Sequence, residues 1–136
     1  MRKLKTNMTN KISDPHSAFP TVISLGEFLV DLVPAPAGSP LAQADSLKMA
    51  PGGAPANVAV ALKRLGIHTG FVGKVGNDPF GRYLYSVLEK EKLDLTFLCL
   101  SRESLTRLAF VTNDPDEKQR FLFYGNPGAD VLLTPA

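Results

Sequence analysis

The amino-acid sequence predicts an α/β fold in which a mostly parallel sheet is flanked by helices and carries a smaller antiparallel addition. Three observations lead to this prediction. Residues 21–33 form an almost continuous apolar run, two amphipathic helical patterns follow, and short strand patterns replace helices from residue 95 onward. An apolar run without alternation is typical of a strand covered on both faces. The 136 residues suit one small domain.

Charge and composition exclude several classes of function. The net charge is only +2, and beyond the basic residues 2–11 it is nearly balanced, so we expect no nucleic-acid partner. No apolar run approaches the roughly 20 residues of a membrane span. No Cys/His cluster has metal-site spacing, and the single cysteine, Cys99, is predicted to be a core residue. We expect residues 1–20 to be a disordered basic leader and the protein to be cytoplasmic, with a plastid as the alternative.

The first predicted strand, residues 21–33, carries two acids. Pro34 and Pro36 are expected to end it. Glu27 and Asp31 lie four residues apart, which places both on one face of a strand. Carboxylates in an apolar strand are costly unless they are hydrogen-bonded, and ligands of α/β sheets bind at the carboxyl ends of strands. Asp31 is therefore a candidate ligand contact, whereas for Glu27 a contact and a solvated acid both remain open.

A glycine-rich segment, residues 52–57 (GGAPAN), follows a loop and precedes a helical pattern. The adjacent Gly52 and Gly53 allow a close backbone approach or a positive φ. The Asn57 amide carries both a donor and an acceptor, which suits the hydroxyls of a polyol. The alternative is a plain turn in which Asn57 caps the helix.

The remaining elements are predicted from periodicity and turn residues. The first helix presents an apolar face and ends before Gly66; that face comprises Val58, Ala61, Leu62 and Leu65. A strand at 69–75 precedes a second helix. The segment Asn77-Asp78-Pro79 supplies an N-cap candidate for it, with proline near the first helical position, and its apolar face comprises Phe80, Leu84, Val87 and Leu88. Segments 95–100 and 105–112 are predicted strands. A turn at 114–116 joins 105–112 to a returning strand at 119–124.

These segments together resemble a known family. The strings LGEFLVDLVP, PGGAPANVAVALKRLG and FVGKVGNDPFG resemble the N-terminal signature region of the ribokinase-like (pfkB) sugar kinases. The string LAFVTNDPDEKQRFLFYGNPGADVLL is similar to the corresponding part of plant-type fructokinases. The resemblance implies that residues 21–136 are a partial kinase domain. It comprises the N-terminal part of the main sheet and a small β lid, to which residues 35–50, 105–112 and 119–124 contribute.

The same resemblance implies a function and a site. The activity would be ATP-dependent phosphorylation of fructose to fructose 6-phosphate, with sugar contacts at Asp31, Gly52, Gly53 and Asn57 and a lid that excludes water. ATP and Mg²⁺ would serve the full-length enzyme. Its catalytic aspartate, in a Gly-Ala-Gly-Asp motif, is expected beyond residue 136. The chain is therefore expected to be a fragment that is inactive alone and binds neither cofactor tightly.

Some features depart from the family pattern and leave alternatives open. Gly125 stands where an arginine is common, Gly128 where a serine is common, and Arg107 where a small residue is usual. One alternative is a short non-catalytic protein that binds sugar or associates with a full-length kinase, and another is a kinase for ribose, adenosine or a keto-acid sugar. The expected partners are fructose or a similar small sugar, and a homo- or heterodimer formed through the lid strands.

Overall fold

The computed structural model describes residues 19–36, 38–112, 120–125 and 127–134. Residues 1–18, which include most of the basic leader, lie outside the described ranges, as does the turn predicted at 114–116. The described elements are β1 (Val22–Leu25), β2 (Leu29–Ala35), a 3₁₀ helix (Leu41–Gln43), β3 (Ser46–Gly52), α1 (Ala54–Arg64), β4 (Thr69–Gly76), α2 (Pro79–Lys90), β5 (Leu98–Ser101), β6 (Leu108–Thr112), β7 (Arg120–Tyr124) and a second 3₁₀ helix (Ala129–Leu132).

Two sheets organise these elements. A three-stranded sheet has the order β1-β4-β5 and is parallel throughout, which confirms the predicted parallel α/β layer. A four-stranded sheet has the order β3-β2-β6-β7. In it β2 runs antiparallel to β3 and parallel to β6, while β6 and β7 form the predicted hairpin. The strands expected within 35–50, 105–112 and 119–124 are therefore confirmed.

The prediction of one strand over residues 21–33 is wrong. The chain breaks at residues 26–28, where Gly26 has a φ of +149°, and β1 and β2 belong to different sheets. A side chain at Gly26 would collide with Pro55, whose Cγ would lie 2.6 Å from a Cβ. Pro34 does not end β2, which continues to Ala35. Proline is tolerated there because β2 pairs with β6 only as far as Leu32, so one edge needs no donor at Pro34.

Helix α1 begins earlier than the sequence suggested. Gly53 is its N-cap residue and Asn57 lies within its first turn, so the alternative with Asn57 as the cap is wrong. The helix ends before Gly66, as predicted, and the φ of Gly66 is +84°. The N–H groups of Gly66 and Ile67 donate to the carbonyls of Lys63 and Leu62. The predicted apolar face is not the buried one in this chain. Ala56 and Ala59 are buried, whereas Val58 and Leu65 are 51% and 78% exposed.

Helix α2 and its cap match the sequence prediction. The Asp78 carboxylate accepts a hydrogen bond from Gly81 N and two more from the backbone N and the hydroxyl of Thr106, at 2.8, 2.7 and 2.9 Å. The Thr106 hydroxyl in turn accepts from Gly76 N. Thr106 lies on the connection between β5 and β6, so this network fixes the four-stranded sheet to the end of β4 and the start of α2.

The hydrophobic core lies between the two sheets and the helices. Phe28 and Phe71 meet edge to face at its centre, with ring centroids 5.6 Å apart. The other buried members are Val30, Leu32, Ala56, Ala59, Val75, Leu84, Leu88, Leu93 and Leu98. Cys99, predicted to be buried, is exposed. Among the described residues there is no helix of the length and apolarity required to cross a membrane.

Candidate functional site

An open cavity of about 290 Å³ lies between the start of α1 and one face of the four-stranded sheet. Its volume is at the lower end of the range for small-molecule sites, which suits a ligand of monosaccharide size. The lining residues are Glu27, Leu29, Asp31, Gly53, Ala54, Ala109, Phe121 and Phe123. Three of the five residues that the sequence singled out, Glu27, Asp31 and Gly53, therefore line one cavity.

The two acids reach the cavity by a different route from the one predicted. Glu27 lies in the break between β1 and β2, just beyond the carboxyl end of β1, and Asp31 is the third residue of β2. Burial, followed by the charge of Glu27, raises the pKa of the Asp31 carboxyl above its ordinary value. The oxygens of the two carboxylates provide acceptors for ligand hydroxyl groups.

Gly52 and Gly53 permit the close approach of the chain to these acids. Gly52 pairs with Leu29 across β2 and β3, and a Cβ at position 52 would overlap the Asp31 carboxylate. Gly53 has a φ of +109°, and a Cβ there would lie 2.5 Å from the carbonyl oxygen of Glu27. Any larger residue at either position would push the acids or the start of α1 away from the cavity.

The N-terminus of α1 supplies hydrogen-bond donors beside the acceptors. Within the described residues, α1 has no side-chain cap, and Gly53 and Ala54 at its start line the cavity. The first N–H groups of a helix have no intrahelical partner. The cavity thus combines the backbone N–H groups of Gly53 and Ala54 with carboxylate acceptors, and a polyol, whose hydroxyls both donate and accept, can use both.

Asn57 does not line the cavity. The backbone N–H of Asn57 donates a hydrogen bond to the carbonyl of Gly53 at 3.0 Å, which closes the first turn of α1. Asn57 itself is exposed. A spacing of four residues places it on the same helix face as Gly53, one turn further from the cavity. The structure thus brings Gly52, Gly53, Glu27 and Asp31 together and leaves Asn57 outside the lining.

The aromatic wall of the cavity was not identified as a candidate site from the sequence. Phe121 and Phe123 are alternate residues of β7, so both point to the same face, and their rings stack with centroids 6.2 Å apart and planes inclined by 17°. Asp31 pairs with Ala109, and Ala109 pairs with Phe123, which places all three on the cavity face. The alternate positions of the two phenylalanines in RFLFY indicate that their side chains share a face of the strand. That this face also carries Asp31 depends on the strand pairing, which the sequence does not show.

Arg107, which stands where the family usually has a small residue, is accommodated in this fold. Its guanidinium carbon lies 5.7 Å from the centroid of the Phe123 ring, and its Nε lies 3.2 Å from Oδ1 of Asp130. A Cβ at Gly128 would lie 2.9 Å from the Cβ of Arg107, so the glycine at 128 makes room for the arginine. Gly125 has a φ of +77°, which a side chain would adopt only with strain.

The described residues do not fit the cofactors that the resemblance implies. Among them, no group of three or more His, Cys, Asp or Glu side chains could hold a metal ion. The cavity has two carboxylates in its lining and no basic side chain, so it would repel the phosphates of ATP.

Comparison with known proteins agrees with the resemblance in the sequence. Residues 20–136 match the profile of the pfkB family of carbohydrate kinases. Fructokinase-1 of Oryza sativa subsp. japonica is 50% identical over 115 residues, which cover 85% of this chain and 36% of that protein. Fructokinase-2 of Solanum lycopersicum is 47% identical over 115 residues and 35% of its length is covered. The chain thus spans about a third of the curated relatives that it matches.

Solved structures show the same fold. A sugar kinase from Pyrococcus horikoshii in complex with ATP superposes with a TM-score of 0.72 and 38% identity, covering 80% of this chain and 35% of that one. A double mutant of the fructokinase from Vibrio cholerae O395, with fructose, ADP and a potassium ion bound, superposes with a TM-score of 0.67 and 39% identity, covering 80% and 33%. The ribokinase-like fold predicted from the sequence is confirmed.

Proposed function

The chain belongs to the pfkB family of carbohydrate kinases, and from that premise we propose that it forms the sugar-binding part of an ATP-dependent fructokinase. The observation that carries the proposal is the cavity in which the carboxylates of Glu27 and Asp31 face the uncapped start of α1. The names of the relatives support fructose as the sugar, and the bound fructose and ADP of the Vibrio cholerae enzyme support the reaction. The product would be fructose 6-phosphate.

In this proposal each site residue has a distinct role. The Asp31 carboxylate accepts hydrogen bonds from sugar hydroxyls, and Glu27 provides further acceptor oxygens. Gly52 and Gly53 bring backbone N–H groups within reach of the sugar oxygens. Asn57, one helical turn from Gly53, contacts a hydroxyl at the mouth of the cavity. The four-stranded sheet acts as the lid, with residues 21–136 forming part of one kinase domain, and closure removes water from the sugar.

Phosphotransfer needs residues outside this chain. The family's Gly-Ala-Gly-Asp motif is not among the 136 residues, and Pro127-Gly128-Ala129-Asp130 lacks the glycine before the aspartate. The cavity contains no cation that could stabilise a transferring phosphoryl group. We therefore propose that the chain alone binds fructose and does not phosphorylate it, and that ATP and Mg²⁺ bind to the remainder of a complete kinase.

The direct test is a titration of the ¹⁵N-labelled chain with fructose, followed by NMR, with ribose as the comparison sugar. We expect fructose to shift the amide resonances of Gly53 and Ala54, and ribose to shift them less at equal concentration. A fructose titration that leaves these resonances unchanged would refute sugar binding by the chain. In parallel, incubation with ATP, Mg²⁺ and fructose should yield no ADP; turnover would show that the catalytic base lies within the chain.

A second candidate, a non-catalytic protein that associates with a kinase, is favoured by the exposed apolar surface. Ile23 and Leu25 project from β1, and four successive residues of β7, Phe121 to Tyr124, are also exposed. Strands β3 and β7 are the edges of the four-stranded sheet, and a homo- or heterodimer through these strands would cover part of this surface. Light scattering of the chain alone and with a full-length fructokinase tests this, since a monodisperse monomer in both samples would contradict association.

The native size and location of the protein separate the two candidates. We propose a cytosolic location, with a plastid as the alternative because of the basic residues 2–11. An antibody against residues 77–95 would report both on immunoblots of fractionated tissue. A band well above 14.7 kDa supports the kinase, and a sole band at 14.7 kDa supports the short associating protein.

A further inference from the structure

Arg107 lies on the cavity face of the four-stranded sheet without lining the cavity. The carbonyl of Arg107 accepts a hydrogen bond from the N–H of Val30 at 3.1 Å, so this residue continues the ladder between β2 and β6. Successive side chains of a strand alternate between faces, which places Arg107 on the same face as Ala109, a lining residue of the cavity. Its guanidinium group lies beside the ring of Phe123, which also lines the cavity.

The guanidinium group is also held by a buried carboxylate. The side chains of Arg107 and Asp130 are only 14% and 2% exposed. Nε and Oδ1 are buried and 3.2 Å apart, and within the described residues neither forms a hydrogen bond, so the contact is an ion pair. A buried charge is costly without a partner, and each of these two groups is the other's partner.

Asp130 is itself fixed to the three-stranded sheet. It belongs to the second 3₁₀ helix, where the N–H of Ala129 donates to the carbonyl of Leu105 at 2.9 Å and Lys74 Nζ donates to the carbonyl of Leu132 at 3.0 Å. Lys74 lies in β4. A chain of contacts therefore runs from β4 through Asp130 and Arg107 to the Phe123 ring on the cavity wall.

We propose that Arg107 and Asp130 are positioning residues that hold the Phe123 ring as an apolar wall of the cavity that also contains the carboxylates of Glu27 and Asp31. A sugar is amphipathic: its hydroxyls would bind the carboxylates and its C–H face would pack on the ring. The fixed ring selects a sugar that presents a C–H face while its hydroxyls reach the acids. This inference rests on the proposed function for the identity of the ligand, fructose.

The test compares a double substitution with a matched control. Removing one partner alone would leave a buried unpaired charge, so Arg107→Met and Asp130→Asn are combined to preserve side-chain volume and folding. Arg64→Ala is the control, because Arg64 also forms an ion pair, with Glu91, on an exposed surface away from the cavity. Arg107→Lys keeps the charge and removes the planar guanidinium group.

Two readouts are measured on the ¹³C-Phe-labelled chain: the resonance of the Phe123 ring without sugar, and the fructose dissociation constant. We expect the double variant to shift the Phe123 resonance and to bind fructose about three- to tenfold more weakly, within the range that a lost cation–π contact allows. Arg107→Lys should fall between the double variant and the parent, and Arg64→Ala should match the parent.

Each contrary result has a distinct meaning. An unchanged Phe123 resonance in the folded double variant would overturn the positioning role, whatever the sugar affinity. A shifted resonance with parental fructose affinity would overturn the role of the ring as a sugar wall. If the parent itself binds no fructose, the proposed function fails and the sugar-wall role fails with it, while the sugar-free resonance still decides whether Arg107 positions Phe123.

Discussion

Replacing Asp31 with asparagine should change sugar affinity and stability in opposite directions. Asparagine keeps the size of the side chain but replaces an acceptor-only carboxylate with an amide. Hydrogen bonds to a charged group contribute about 1.5–3 kcal/mol. If Asp31 accepts one such bond from fructose, the D31N variant should bind fructose roughly 10- to 150-fold more weakly.

The stability of the same variant follows from the direction of the pKa shift. Burial, and then the charge of Glu27, raise the pKa of Asp31 in the folded chain. The folded state therefore holds the proton more tightly than the unfolded state, and this contribution is lost as the pH rises through the folded-state pKa. At pH 7 the ionised carboxylate weakens the fold, and asparagine removes that effect. Because Asp31 is only partly buried, we expect a gain below about 1 kcal/mol, or a few degrees in Tm.

The assay is a fructose titration by NMR together with thermal denaturation at pH 7 and at pH 4. The control is Asp45→Asn, which makes the same chemical change at an exposed position outside the cavity. We expect the gain in Tm at pH 7 to shrink at pH 4, where the parent carboxyl takes up its proton. Parental fructose affinity in D31N, or a fall in Tm at pH 7, would refute the reasoning about this site.

Two further pairs of substitutions test the supports of the fold and of the site. Asp78→Ala removes the cap of α2 and both bonds to Thr106, so we expect a loss of about 2–4 kcal/mol in urea denaturation, with the exposed Asp45→Ala near zero. Burial acts to raise the pKa of Asp78, but its hydrogen bonds outweigh this and lower it. Its stabilisation should therefore be present above the ordinary aspartate range and disappear as the pH falls through the lowered pKa; a pH-independent deficit would contradict this. Gly53→Ala and Gly66→Ala both place alanine at positive φ, but only Gly53 faces a backbone oxygen. The Gly66 variant should lose about 1–2 kcal/mol and the Gly53 variant at least about 1 kcal/mol more, and equal losses would argue against the close approach to Glu27.

The sequence predicted those elements whose signals are local. The cap at Asp78, the C-terminal glycine at Gly66 and the β6–β7 hairpin each depend on a few neighbouring residues, and each is confirmed. The break at residues 26–28 was missed because the apolar runs before and after it together match one continuous buried strand. Only the packing of Pro55 against Gly26, 29 positions away in the sequence, shows why the chain turns there.

Only those site residues could be found from the sequence whose chemistry is unusual in their local surroundings. The acids were identified because a carboxylate in an apolar run is conspicuous wherever the strand ends. Phe121 and Phe123 were missed as site residues because an aromatic residue in a strand is ordinary, and only the pairing through Ala109 aligns them with Asp31. The face of α1 was wrongly predicted, since Val58 and Leu65 are apolar and yet exposed in this chain.

The cavity lies where the chain crosses between the two sheets, and this position links its chemistry to the relative placement of the sheets. Glu27 is on the crossing from β1 to β2, Gly53 on the crossing from β3 to α1, and Arg107 on the crossing from β5 to β6. Asp78 fixes the third crossing through Thr106. Any movement of the four-stranded sheet must therefore bend these connections. Such a movement would also change the positions of Phe121, Phe123 and Asp31 relative to the start of α1. Under the proposed function, sugar contacts on both sides of the cavity would favour one placement of the sheets, and ligand binding would then be coupled to closure of the proposed lid.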